Sequence, residues 1–201
     1  MAASGVVMLL FLIGHMIGNL KVFAGRTEFN HYAAWLRTVG EPALPRRVFL
    51  GLLELVLTLC VVAHVVTAAQ LWRRSRRARP IGYAKRPPTY ATQTMRWGGV
   101  IVALFVVYHL LDLTFRVANP LGRRADPYDN LIASFREWPV TLFYVLALLA
   151  VGLHIRHGIA SALLTLGWNV SVGKAISTAT AVVLTVGFLS VPLAVLIGLV
   201  R

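Results

Sequence analysis

Acidic residues are scarce in this sequence. Over 201 residues, 7 Asp and Glu stand against 20 Lys and Arg, and charged residues make up only 13% of the total. A soluble domain is usually about a quarter charged, so the shortage argues against a soluble fold. Cysteine is nearly absent: Cys60 stands alone inside an apolar run, and no internal disulfide can form. No C-x-x-C-H occurs, which excludes covalently attached haem, and cysteine-ligated iron–sulfur clusters and zinc fingers go with it. No glycine-rich dinucleotide fingerprint occurs, so any flavin chemistry must sit on a partner. No A-x-A-like site follows the first apolar run, which is as long as a bilayer span and does not read as a cleaved signal. That run begins almost at Met1 without a basic flank, which leads us to expect a few native residues ahead of it.

What the chain has in quantity is apolar sequence. It is 58% hydrophobic with a mean hydropathy of +0.72. Five runs approach the ~20 residues that a helix needs to cross a bilayer: 1–23, 48–72, 97–115, 140–166 and 175–200. They lack the period-2 alternation of barrel strands, and lipid leaves only helices or closed barrels. The expectation is an all-α integral membrane bundle of five transmembrane helices, formed by residues 1–201 as a single domain.

The net charge of +13 would point to nucleic acid in a soluble protein. Here the charges cluster at the ends of apolar runs, where they set topology instead. The connector from Arg73 to Arg96 holds Arg73, Arg74, Arg76, Arg77, Arg79, Lys85, Arg86 and Arg96 with no acid among them. The positive-inside rule makes this connector cytoplasmic. Two spans precede it, so the N-terminus is expected to be cytoplasmic and the C-terminus outside. The basic run is either a plain solvated loop or a docking surface for a soluble subunit. The first connector contains Asn30 to Leu36, which reads as a short amphipathic helix on the membrane surface, ended by Pro42 and Pro45. The connector 116–139 mixes Arg123, Arg124 and Arg136 with Asp126, Asp129 and Glu137.

Five of the six histidines lie inside apolar runs: His15, His64, His109, His154 and His157. Ionisable groups at membrane depth are costly and usually face the bundle interior for a functional reason. Their heights follow from the helical rise. His15 lies about 12 Å from the outer end of its span and His109 roughly 9 Å. His64 lies about 24 Å from the outer end, His154 roughly 21 Å and His157 about 26 Å. The sequence therefore predicts one pair in the outer half and a second pair nearer the cytoplasm. Two neutral imidazoles facing one another across a bundle suit bis-histidine ligation of a b-type haem. Gly14 and Gly18 flank His15, and Gly152 and Gly158 flank His154 and His157, as if to leave flat space for a macrocycle. The plainer alternative is that the histidines bridge helices without a cofactor. Zinc fits less well, because it gathers four ligands at one point. Depth alone does not choose between His154 and His157 as the partner of His64.

The stretch Gly14-His15-Met16-Ile17-Gly18-Asn19-Leu20, the pair Tyr108-His109, the stretch Gly152-Leu153-His154-Ile155-Arg156-His157-Gly158 and the closing Phe188 to Val195 resemble the cytochrome b558 subunit of succinate dehydrogenase. The resemblance runs in order along essentially the whole chain. It implies a diheme membrane anchor of succinate:quinone oxidoreductase or fumarate reductase, with no dehydrogenase activity of its own. Its partners would be a flavoprotein and an iron–sulfur subunit on the cytoplasmic face of a bacterial inner membrane. Its cofactors would be two haem b groups, and menaquinone or another quinone would be the substrate. Carried over, His15 and His109 match the distal-haem ligands, and His64 and His154 the proximal pair, which favours His154 over His157. Two other readings remain open: a diheme cytochrome b of a hydrogenase or formate dehydrogenase type complex, and a haem-free membrane scaffold or transporter.

Glu54 and Asp112 are intramembrane acids in the outer half. Asp112 follows His109 by one turn and is expected to share its face. Such acids could pass protons during quinone chemistry. The plainer expectation is that each pairs with a nearby arginine. His31 and Glu41, on the first connector, are weaker candidates for the same role.

Overall fold

The computed structural model describes residues 1–78, 90–122 and 126–201, with the backbone alone at 90–94. Of the basic residues singled out above, Arg79, Lys85, Arg86, Arg123 and Arg124 lie outside the described residues. The order of elements is α1 (Ala2–Leu20) with a closing 3-10 turn Lys21–Ala24, α2 (Arg26–Trp35), α3 (Val48–Arg77), α4 (Tyr90–His109) continuing into a π-turn Leu110–Thr114, α5 (Pro127–Arg136), α6 (Trp138–Thr165) and α7 (Val170–Leu196). Five of these are long and apolar enough to cross a membrane: Ala2–Ala24, Val48–Arg77, Met95–Thr114, Trp138–Thr165 and Val170–Leu196. They present large apolar side chains outward all along their length, as helices solvated by lipid do. Among the described residues there is no strand.

The boundaries differ from expectation where charge and helix propensity disagree. Hydropathy ends the second span near Trp72, but α3 runs on to Arg77. Arginine is a good helix former, and a cation in the last turn meets the negative end of the helix dipole. Arg73, Arg74, Arg76 and Arg77 are therefore helical rather than part of a loop. The Arg76 and Arg96 guanidiniums both lie over the Trp72 ring, 5.3 and 5.7 Å from its centroid, which places an aromatic anchor at the basic end of the bundle. The surface helix expected over 30–36 appears as α2, four residues earlier at its start.

The connector 116–139, singled out in the sequence only for its mixed charges, contains a helix. Asp126 caps a helix there: its Oδ1 accepts from the Asp129 amide at 2.9 Å, and Pro127 fills the first helical position. Tyr128, Leu131, Ile132 and Phe135 of α5 are buried in one cluster with Tyr144 of α6, Val22, and Val191 and Val195 of α7. Arg26 ties α2 to α5 through Asp126 at 2.7 Å and Asp129 at 2.5 Å. Burial alone would raise the Asp126 carboxyl, but the Asp129 amide and the Arg26 guanidinium outweigh it and hold it below its ordinary value. This clasp is thus complete at neutral pH and loosens only as acid titrates the carboxyl.

The most extensive packing among the described helices is between α6 and α7. Gly152 faces Thr185, and a Cβ on Gly152 would overlap the Thr185 hydroxyl. Small residues let membrane helices approach in this way. Gly152→Ala must push the two helices apart, and is expected to destabilise the bundle by about 1–3 kcal/mol. Thermal unfolding of the detergent-solubilised protein would register it as a lower midpoint. Gly187→Ala would cost less, because the atoms it meets belong to the flexible Met16 side chain.

Candidate functional site

The described helices bring the sequence-predicted histidines together in twos. The rings of His15 on α1 and His109 on α4 lie 5.8 Å apart between centroids, at an interplanar angle of 86°. The rings of His64 on α3 and His154 on α6 lie 6.4 Å apart, at 64°. The helices that carry each pair scarcely touch otherwise: α3 packs on α1, α4 packs on α6, and neither α1 with α4 nor α3 with α6 forms an extended contact. Each pair of imidazoles therefore reaches across a gap between helices. Among the described residues no three His, Cys, Asp or Glu side chains gather around a common point.

The two pairs sit at different heights. His64 lies beside Ser4 and Gly5 near the start of α1, with its Nδ1 3.2 Å from the Ser4 hydroxyl. His15 is eleven residues further along the same helix, about 16 Å away along the axis. On α4 the same spacing recurs: His154 lies beside Gly99, ten residues or about 15 Å before His109. That separation is roughly half of the ~30 Å hydrocarbon core.

These residues fit a haem on three counts. Metal–imidazole bonds of about 2.0–2.1 Å place two rings on opposite sides of one metal ion roughly 6 Å apart between centroids, the spacing of both pairs. Gly14, Gly98 and Gly158 border open space, where an added Cβ would meet nothing within 4 Å. Among the described residues the Nδ1 of His154 and the Nε2 of His157 are buried without a hydrogen-bond partner, which leaves polar atoms in this groove for a bound group to meet. His157 lies in the same groove as His154, a cavity of about 170 Å³ also lined by Met95, Trp97, Gly98 and Ile101. The ring that faces His64 is that of His154.

Two glycines expected to clear space for a macrocycle do something else. Gly18 lies under Tyr32, whose ring a Cβ would meet at 2.8 Å, so it seats the surface helix α2 on α1. Gly152 seats α7 on α6 as described above. The glycines that do border the histidine rings are Gly5 and Gly99, each with its Cβ position 3.7 Å from a ring carbon, of His64 and His154 respectively. Their positions on the helical wheel relative to those rings carried the signal, but the partner helix had to be known to read it.

The family model of the succinate dehydrogenase/fumarate reductase transmembrane subunit matches residues 73–194, from the basic end of α3 through nearly all of α7. The chain belongs to this family. It is thus a membrane subunit of an enzyme complex, a cytochrome b type anchor built of transmembrane helices. Three of the candidate histidines of this anchor, His109, His154 and His157, lie inside the matched stretch, and His15 and His64 precede it. No curated protein and no solved structure matches the chain significantly.

The acids in the anchor have unequal surroundings. Glu54 is more than half exposed and pairs with Arg47 at 4.0 Å, as the plainer reading expected. Among the described residues Asp112 pairs with no arginine, unlike Glu54. It is 1% exposed and neutral donors surround it. Ser134 donates to its Oδ2 at 2.5 Å, Tyr144 to the same oxygen at 2.9 Å, and Asn119 to Oδ1 at 3.2 Å. The widened turn Leu110–Thr114 carries Asp112 into this cage. Ser134 comes from α5, so the unforeseen helix supplies part of the site. His31 lies in the surface with Lys21, Glu28, Tyr32 and Trp35, around a depression of about 370 Å³, and Glu41 is exposed. The structure does not gather His31, Glu41, Glu54 and Asp112 into one place.

Proposed function

We propose that the anchor carries electrons across the membrane between two b haems, from an iron–sulfur subunit on the cytoplasmic side to a membrane quinone such as menaquinone. His15 and His109 hold the outer, distal haem, and His64 and His154 the inner, proximal one. The observation that carries this reading is the pairing itself: two couples of imidazoles, each at the ring spacing of bis-histidine ligation and each bridging helices that otherwise stand apart. When bound, the haems supply one-electron carriage that no side chain here offers. The protein's own work is to fix the two sites half a bilayer apart and to set each one's surroundings.

The basic end formed by Arg73, Arg74, Arg76, Arg77 and Arg96 supports a cytoplasmic N-terminus by the positive-inside rule, within a bacterial inner membrane. The same end supports docking of the flavoprotein and iron–sulfur subunits there. His31, Glu41, Glu54 and Asp112 stand as candidates for handling the protons of quinone chemistry, and the burial of Asp112 makes it the foremost for contact with the interior.

The test is a reduced-minus-oxidised spectrum of the purified complex with haem quantified per anchor chain. The expected result is two b haems per chain, copurifying with a flavoprotein and an iron–sulfur protein. A haem-free preparation competent in quinone reduction would refute the proposal, and one haem per chain would refute one of the two pairs.

A further inference from the structure

Resting on the assignment of His109 as an axial ligand, we propose that Tyr144 is a positioning residue that hands the charge of Asp112 to the His109 imidazole and so holds down the reduction potential of the outer haem. Three observations carry this. Tyr144 stands between the other two groups: its hydroxyl is 2.9 Å from Asp112 Oδ2 and 3.5 Å from His109 Nδ1. The tyrosine is 3% exposed and held by Phe135 and Phe105, whose ring centroids lie 4.8 and 5.2 Å from its own. Asp112 is held in turn by Ser134 and Asn119, so the carboxylate cannot swing away from the phenol.

The direction of the chain follows from what each group can do. Ser134, Asn119 and Tyr144 all donate to the Asp112 carboxyl, so the Tyr144 O–H is spent on Asp112. The phenol oxygen is then left with lone pairs for the imidazole, and His109 Nδ1 is the donor. That fixes the tautomer with Nε2 unprotonated, the form that can bind iron. A hydrogen bond from the second ring nitrogen to an acceptor backed by a carboxylate makes the imidazole a stronger electron donor, which favours the oxidised iron. Among the described residues the inner pair has no such device. His64 Nδ1 meets the Ser4 hydroxyl, which is itself bonded to the neutral Met1 carbonyl at 2.9 Å, and His154 Nδ1 has no partner.

The experiment is a redox titration of the intact complex, followed optically and by electron paramagnetic resonance, for wild type, Tyr144→Phe, Asp112→Asn and the double variant. Tyr144→Phe keeps the ring that Phe105 and Phe135 hold and removes only the hydroxyl. The expected result is retention of both haems, an upward shift in the potential of the His15/His109 haem, a displaced low-spin g-value for that haem, and no change in the other. Asp112→Asn should shift the same haem in the same direction. In the Tyr144→Phe background it should add little, because its effect passes through the phenol.

A Tyr144→Phe complex with wild-type potentials and g-values overturns the inference, and shows Tyr144 to be packing alone. An Asp112→Asn shift of equal size with and without the phenol also overturns it, because the charge would then act through space. If Tyr144→Phe fails to assemble, Asp112→Asn alone decides: an unmoved g-value for the outer haem overturns the relay. Loss of the two-haem stoichiometry in the wild type would instead sink the functional reading beneath it.

Discussion

Replacing His109 by alanine removes one haem from the reduced-minus-oxidised spectrum and leaves the other close to its wild-type form. His15→Ala removes the same spectral component, and His64→Ala and His154→Ala each remove the other one. The effect is large because a b haem is held by its axial bonds and by packing alone, without a covalent link. The selectivity follows from height. The pairs lie about 16 Å apart along α1 and share no ligand, and substitutions at that distance with no shared partners act independently. His157→Ala is the internal control: it leaves both components in place, because the ring opposite His64 belongs to His154. Spectra in which every substitution bleaches both haems equally, or in which none has any effect, would break the assignment of ligands to two separate sites.

The parts of this molecule that hydropathy controls were legible in the residues. A span needs only length and an apolar composition, so the five transmembrane helices appear close to the expected places. Helical rise converts sequence number into depth, which sets His15 level with His109 and leaves His154 and His157 both open to His64; the fold puts the His154 ring opposite His64. What stayed hidden depends on contacts between segments distant in sequence. Helix α5 has little apolar character overall and looks like a polar connector until its buried face meets α6 and α7. Its start was nevertheless written locally, in the Asp126 cap followed by Pro127. The π-turn after His109 has no sequence rule behind it, and without that turn the cage around Asp112 could not be foreseen. Tyr144 had no motif at all. It becomes significant only when α6 brings it between His109 on α4 and an acid that Ser134 of α5 also holds. The glycines erred in the opposite sense: Gly18 and Gly152 flank histidines in sequence, but each faces a different helix from the one that the histidine beside it faces.

Neutralising the exposed end of α3 with Arg73→Gln, Arg74→Gln and Arg77→Gln is expected to uncouple the complex without harming the anchor. These three arginines are exposed at the last turns of the helix, whereas Arg76 is engaged on Trp72 and stays in place. Glutamine preserves helix propensity and avoids setting an acid against the negative end of the helix dipole. Arg76, Arg79, Lys85, Arg86 and Arg96 remain, enough positive charge to keep the orientation of the chain. If this end receives an acidic face of a soluble subunit, three exposed charges at up to ~1 kcal/mol each imply a loss of about 10–100-fold in association at low salt. Screening should shrink the difference between variant and wild type as ionic strength rises, since the Debye length falls to ≈ 8 Å at about 0.15 M. Succinate-dependent reduction of a water-soluble dye would persist in the released subunits, whereas reduction of a membrane quinone would fall with the fraction still docked. Both haems would stay in the membrane fraction, because none of the three arginines is a proposed ligand and His64 lies nine residues before Arg73 on α3, about 14 Å along the helix. Quinone reduction unchanged at low salt in the triple variant would make the basic end a topological signal alone and move the docking surface elsewhere on the anchor.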